Sequence, residues 1–257
     1  MLVYLPGGVA LALARIPAGS FQMGRAANER SSYEWEDPQH AVTIGYDFYL
    51  ARTETTQAQW QAVMGTNPAH TYGTGANYPV YFVSWDDCQA FVAALNGLGL
   101  GGTFRLPSEA EWEYACRSGA QTRFFFGDSL GVEDEDQDGL AEGLPGNRSD
   151  YMWWWFNCQG NANGAYGAKP VGSKLPNSFG LYDMSGNVWE FCQDYWHPDY
   201  TGAPADGSPW LAPPSIYRVV RGGAWSFYAY YGRSAGRAAS APDAHYGIGI
   251  RLAWTDN

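Results

Sequence analysis

The sequence is poor in charge: only 16% of its 257 residues are Asp, Glu, Lys or Arg, too few for a solvated helical bundle or a disordered chain. It is poorer still in positive charge. Fifteen Lys and Arg stand against 26 Asp and Glu, a formal net charge of −11. A nucleic-acid binder needs a basic surface that displaces counterions from phosphates, so that class is excluded, and an anionic membrane surface is disfavoured on the same ground. No window of about 18 apolar residues exists, which excludes a transmembrane helix. The apolar N-terminus, MLVYLPGGVALALARIPAGSF, lacks a basic leading segment and is interrupted by Gly and Pro. It therefore reads as the first strand, no export signal is visible, and the location is left open. Cysteine is scarce: Cys88, Cys116, Cys158 and Cys192 form no CxxC pair and no Cys/His cluster, and none follows Cys192. Cys88 and Cys116 fall on apolar helix faces and read as buried thiols. His40, His70, His197 and His245 are scattered, with no Ser-His-Asp grouping at a strand-to-helix elbow and no phosphate-binding glycine motif.

What the chain has in abundance is 32 Gly, 12 Trp and 18 Tyr within a 46% hydrophobic composition. Many turns around bulky packing groups point to a loop-rich α+β fold with little regular secondary structure, not a bundle or a doubly wound sheet. No linker and no internal repeat divides residues 1–257, so one domain is expected. Residues 38–50 are β-branched and aromatic and read as a strand. Thr55 or Thr56 caps a short helix through Met64. Ser84 and Asp87 have capping-box spacing ahead of Cys88, Phe91, Val92 and Leu95, a single buried helix face ended by Asn96-Gly97. Ser108 and Glu111 repeat the box before Trp112, Ala115 and Cys116, with Gly119 past the end. Residues 121–216 are glycine-rich, aromatic and without helical signals. So long an irregular stretch needs internal staples, for which metal ions are candidates.

Two stretches have the oxygen donors that a hard cation requires. Asp134, Asp136 and Asp138 lie in a D-x-D-x-D-G run that can gather three carboxylates around a turn; a solvated acidic loop is the alternative, because Pro145 stands at the twelfth position where an EF-hand needs Glu. Asp183 and Glu190 flank a glycine turn, Asp183-Met-Ser-Gly186-Asn-Val188-Trp-Glu190, whose carbonyls would complete a site; the alternative is a turn entering a strand.

Six segments occur in order over nearly the whole chain: IPAGSFQMG, TETTQAQW, YPVYFVSWDDCQAF, FRLPSEAEWEYACRSG, KPVGSKLPNSFGLYDMSGNVWEF, and RVVRGGAW followed by RSAGR and IGIRLAW. Together they resemble the formylglycine-generating-enzyme, or sulfatase-modifying-factor, family. The resemblance implies a C-type-lectin-like fold and bound Ca²⁺. It carries one calcium site onto Asp183, Gly186, Val188 and Glu190, and a second onto Asn157, Cys158, Asn163 and Ala165. It also implies a departure. The enzymes of that family use two cysteines, four residues apart, just after the RGG-S/A-W motif, to bind copper and activate oxygen. Here that segment reads Trp225-Ser-Phe-Tyr-Ala-Tyr-Tyr-Gly-Arg233, so no copper is expected. The sulfoxide-forming relatives use iron-binding histidines of an extra N-terminal domain, which do not precede the lectin-like segment here.

In place of the cysteines, residues 226–247 alternate fixed-looking motifs with permissive runs inside a segment, 218–252, that resembles the variable region of diversity-generating-retroelement proteins. In that subset an error-prone reverse transcriptase randomises adenines of AAC codons, which never yields Lys, Glu, Gln, Trp or Met. None of those five occurs at Ser226, Phe227, Tyr228, Tyr230, Tyr231, Gly236, Ala238, Ala239, Ser240, Ala241, Ala244, His245, Tyr246 or Gly247. A Tyr/Ser/Gly/Ala surface is also what an antibody paratope uses, since tyrosine gives rigid amphipathic contact area and small residues let it fit. The expected function is therefore non-catalytic binding of a protein or other macromolecule whose identity varies between copies. A family oxidoreductase working through other residues, and an inactive paralogue regulating an enzyme, are the alternatives. Trp153, Trp154 and Trp155 are expected in the core, or else on the same surface.

Overall fold

Local capping chemistry sets the three longer helices. Thr56, Ser84 and Ser108 each accept the backbone N–H three residues on, and Gln59, Asp87 and Glu111 each reach back to the cap's own N–H. These boxes start α1 (Gln57–Met64), α2 (Trp85–Gly97) and α3 (Glu109–Arg117). The computed structural model describes residues 1–128, 148–158, 164–243 and 246–256. Asp134, Asp136, Asp138, Asn163, Ala244 and His245 lie outside the described residues.

The N-terminus forms more than one strand. Gly7 and Gly8 take positive φ, which folds β1 (Leu2–Leu5) back onto β2 (Val9–Ile16), and β3 (Gly19–Met23) follows. The expected strand over 38–50 is two, β4 (His40–Ile44) and β5 (Phe48–Ala51), separated at Gly45–Asp47. β6 (Thr103–Arg105) precedes α3; the one-turn helix α4 (Arg148–Tyr151), β7 (Trp189–Tyr195), β8 (Arg218–Arg221), β9 (Arg237–Ser240), β10 (Ile248–Gly249) and β11 (Ala253–Thr255) follow it. The strands make a five-stranded sheet in the order β1-β2-β5-β11-β6, a four-stranded sheet β10-β7-β8-β9, and the hairpin β3-β4. β11 pairs with β5 and β6, so the C-terminal strand closes onto the N-terminal sheet.

α1 and α2 pack their apolar faces together and onto this sheet, with Trp60 stacked on Phe91 at 4.7 Å. Cys88, Phe91, Val92 and Leu95 are buried, as their spacing predicts. α3 differs from expectation: all nine of its residues are buried, not one face. Glu109 and Glu113 are matched by arginines of β8 and β9 more than a hundred residues away, and Glu111 by Arg105 of β6.

The irregular segments are stapled by side-chain hydrogen bonds. Asn177 Nδ2 donates to the Ala115 and Cys116 carbonyls, while its Oδ1 accepts from Phe179 and Leu181 N–H. Asp194 accepts from the Glu109 and Trp210 N–H groups, and His197 stacks on Trp210 at 3.7 Å. No described helix is long and apolar enough to cross a membrane.

Candidate functional site

Four buried arginines frame the C-terminal segment. Arg221 of β8 pairs with Glu113 and lies 3.4 Å from Glu109. Arg233 pairs with Glu29 and Glu36, each at 2.6 Å. Arg237 makes a two-pronged contact with Glu109, at 2.7 and 2.9 Å, and Arg251 one with Glu190. All four are essentially inaccessible to solvent. The fork of each guanidinium fixes position and orientation together, so the RSAGR stretch, Arg233 to Arg237, is clamped at both ends and wholly buried.

The permissive runs emerge between these clamps. Ser226–Tyr228 leave the buried RGGAW turn, and Ala229–Gly232 make a single 3-10 turn. A strand could not turn three tyrosines in four positions to one side, and this turn takes the place of a strand here. Tyr228, Tyr230 and Tyr231 are half-buried and in contact in succession, Tyr228 stacked on Tyr230 at 5.8 Å and Tyr230 tilted against Tyr231 at 4.6 Å, while Ala229 is buried. Phe227 and Tyr246 are exposed, as is Ala239 on β9; Ala238, Ala241 and Gly247 are partly exposed. Ser240 is buried and donates to the Ala241 carbonyl, but it lines the same concavity. Gly236 is not on this surface. It is buried, its carbonyl accepts from Arg221, and a Cβ there would lie 2.7 Å from the Tyr231 carbonyl oxygen. Its place is in the scaffold, because backbone crowds the space a side chain would take.

Other residues of this face come from elsewhere in the chain and carry no local sequence signal. Tyr33 and Trp35, stacked at 4.2 Å, belong to the loop that Arg233 anchors through Glu29 and Glu36. Tyr33 Oη donates to Tyr231 Oη at 3.3 Å, and Trp35 Nε1 donates to the Arg237 carbonyl at 3.2 Å. Trp189 and Trp196 stand at the two ends of β7. Together with Phe227 and Tyr231 these indoles border a cavity of about 780 Å³. Of the tryptophan triplet, Trp154 is buried, Trp153 is half-buried and Trp155 is exposed, its ring 6.3 Å from that of Tyr228.

The DMSGNVWE segment is a turn entering β7. Asp183 and Asn187 take left-handed backbone, and a Cβ on Gly186 would lie 2.0 Å from the Trp153 carbonyl oxygen. Glu54 holds the turn by accepting from Val188 N–H at 2.9 Å and Asn187 Nδ2 at 2.6 Å. Glu190, expected as a ligand, is already engaged: both oxygens accept from Arg251, and one accepts from Trp112 Nε1 at 2.6 Å. Asp183 is different. Its Oδ2 accepts from Gly172 N–H, while the buried Oδ1 has no protein partner. Burial, together with the charge of Glu190, pushes this carboxyl up to about 6. Burial and the charge of Asp183 push Glu54 well up too. With three buried carboxyls around one guanidinium, Asp183 and Glu54 hold protons that a cation would displace; Asp183 Oδ1 is placed to meet one, whereas both oxygens of Glu190 are engaged. Among the described residues no three His, Cys, Asp or Glu side chains group as a metal site, so backbone carbonyls would complete the shell.

Of the second expected cation site, Asn163 lies outside the described residues, and the described members already make contacts within the protein. Asn157 closes a turn, accepting from Trp154 N–H and donating to the Met152 carbonyl. The Ala165 carbonyl accepts from Lys169 Nζ at 2.6 Å, so an ammonium already supplies the positive charge there. Cys158 is buried, its thiol 3.0 Å from the Trp225 carbonyl. All four cysteines are free and buried. Burial pushes the Cys116 thiol up to about 12 and the other three upward.

Against known proteins, residues 10–256 match the model of the sulfatase-modifying factor enzyme 1-like domain. The formylglycine-generating enzyme of Streptomyces coelicolor is 28% identical over 93% of this chain and 88% of its own length. That of Mus musculus is 31% identical over 76% of this chain, but the chain spans only half of that enzyme. Among solved structures, PvdO from Pseudomonas aeruginosa superposes with a TM-score of 0.81 at 29% identity, over 99% of this chain and 97% of that one. Treponema denticola variable protein 1 superposes with a TM-score of 0.75 at 26% identity, over 98% of each. The fold is thus α+β and C-type-lectin-like, as the sequence resemblance implies.

Proposed function

The chain belongs to the sulfatase-modifying-factor family, and from that premise we propose that it is a non-catalytic member whose C-terminal segment is a diversified ligand-binding surface. One observation carries this reading. Ser226, Phe227, Tyr231, Ala238–Ala241, Tyr246 and Gly247 of the permissive runs converge on a single aromatic concavity, with Tyr228 and Tyr230 outside its lining, while the stretch between the runs, Arg233–Arg237, is buried and ion-paired. That is the division of labour a diversified binder needs, with a scaffold that tolerates no change and a surface that tolerates much. Similarity in sequence and fold to the Treponema denticola variable protein supports it. The ligand is a protein or another macromolecule, different for each copy of the segment.

A calcium ion held by Asp183 and backbone carbonyls of the 183–188 turn belongs to the same proposal, in a structural role. It would displace the protons held at Glu54 and Asp183 and hold the turn that leads into β7.

The decisive experiment is deep sequencing of the 3′ end of the gene across one source population. Substitutions confined to codons 226–231, 238–241 and 244–247, with Gly236 and the four arginines constant, are expected. A segment that does not vary overturns the proposal. The likeness to formylglycine-generating enzymes favours a second reading, an oxidoreductase or an inactive regulator of one. It predicts a redox metal by elemental analysis, or an enzyme partner that co-purifies.

A further inference from the structure

We propose that the concavity is a receptor for one aromatic side chain of a protein ligand, gripped by indoles encoded outside the diversified segment. The inference rests on the binding reading above and adds the chemistry of the ligand to it.

The cavity, at about 780 Å³, falls within the range of built ligand sites. It is larger than one indole, so a side chain can enter with the backbone on either side of it. Trp35, Trp189 and Trp196 form its constant part; Phe227, Tyr231 and Tyr246 face them from the variable runs.

Among the described residues no charged side chain lines the cavity. A charge brought in would lose its water and find no counter-ion, which is strongly unfavourable. The aromatic walls would suit a cation on their own, but one of them is already in use. The Arg237 guanidinium lies against the Trp196 ring at 4.3 Å and the Tyr200 ring at 4.4 Å. A second cation on Trp196 would meet a like charge through the ring. The uncharged lining therefore matches an uncharged guest, and two of the lining residues, Phe227 and Tyr246, are exposed to solvent.

Ring geometry selects an aromatic guest over an aliphatic one. Trp189 meets Phe227 at 5.6 Å and 84°, and Tyr231 at 6.1 Å and 70°; Phe227 meets Tyr231 at 5.3 Å and 81°. These are edge-to-face contacts, and a further ring continues the pattern with positive edges toward negative faces. The hydrogen bonds of Trp35 to the Arg237 carbonyl and of Tyr33 to Tyr231 hold the walls in place before any ligand arrives, which lowers the entropic cost of binding.

The room for the guest comes from small residues, Ala238 and Ala239 on β9 with Ala241 after it. These are positions of the permissive runs. Diversification therefore sets the cavity's width, while the three tryptophans supply an affinity common to every copy.

The test is titration of the full chain with N-acetyl-L-tryptophanamide, followed by calorimetry, with tetramethylammonium as the rival probe. Saturable binding of the tryptophanamide is expected, with tetramethylammonium weaker by about tenfold or more. Phe227→Ala and Ala239→Trp should each weaken the tryptophanamide by about tenfold, the first by removing a wall and the second by filling the space. Both positions are exposed, so an unchanged melting temperature accompanies the loss. Absence of saturable binding, equal binding of the ammonium, or unchanged binding by both variants overturns the inference. Population sequencing is independent of this result: an invariant gene segment would remove the diversification reading and leave the aromatic receptor standing.

Discussion

A Cβ at Gly236 would lie 2.7 Å from the Tyr231 carbonyl oxygen and 3.1 Å from that of Arg233; one at Gly247 would come no closer than 3.6 Å to its neighbours. The two glycines therefore have opposite tolerance although both sit among small residues of the same segment. Backbone cannot yield as a flexible side chain can, so Gly236→Ala should destabilise by about 1–3 kcal/mol through overpacking. Gly247→Ala meets only ordinary contacts and restricts the unfolded chain, so it should be neutral or stabilising by about 0.4–1 kcal/mol. Urea unfolding midpoints of the two variants check this. A midpoint for Gly236→Ala equal to that of the parent would return Gly236 to the variable set. Composition alone makes Gly236 and Gly247 look alike, because the allowed-residue argument asks what a codon can encode and not what the backbone leaves room for.

Local signals made the helices legible, and distance hid the rest of the fold. Ser84 and Asp87 are three residues apart and their capping box forms as read. Arg233 lies 197 residues from Glu36, and nothing in the RSAGR motif indicates that its arginines close ion pairs onto a distant loop and onto α3. The same distance hid Trp35, whose loop is held at the binding face by Arg233 through Glu29 and Glu36 and by Arg237 through the Trp35 backbone and indole. The energetic scales differ accordingly. Ser84→Ala removes one exposed cap and should destabilise by about 1 kcal/mol. Arg233→Met leaves the buried Glu36 and Glu29 carboxylates without a counter-ion and should destabilise by about 3–5 kcal/mol. Chemical denaturation of the two variants gives the comparison. If the arginine variant is no worse than the cap variant, the clamp is not what holds the loop against the variable segment.

The molecule carries 26 acidic residues against 15 basic ones, and part of that excess is buried where it titrates near neutrality. Burial raises Asp183 to about 6 and Asp194 to about 7, the latter with help from the charge of Glu109. An unfolded Asp titrates near 3.9. The folded chain therefore holds these protons more tightly than the unfolded one, and the stabilisation is complete below about pH 4 and lost as pH rises through about 6 to 7. Metal-free protein should become less stable across that window. Calcium at Asp183 acts in the opposite sense, because the ligand is the deprotonated carboxylate and binding strengthens as the proton leaves. Thermal unfolding with excess calcium and with a chelator should thus coincide at pH 5 and separate by pH 7.5. A ligand at about a hundred times its dissociation constant adds about 2.7 kcal/mol. Asp183→Asn removes the titration and the repulsion with Glu54 but keeps an oxygen for the Gly172 N–H. It should melt higher than the parent in chelator at pH 7.5 and gain less from calcium. Identical melting of the parent with and without calcium at pH 7.5 would mean that these carboxylates titrate with no cation to relieve them. The turn into β7 would then rest on Glu54, Asn187 and the Arg251–Glu190 pair alone.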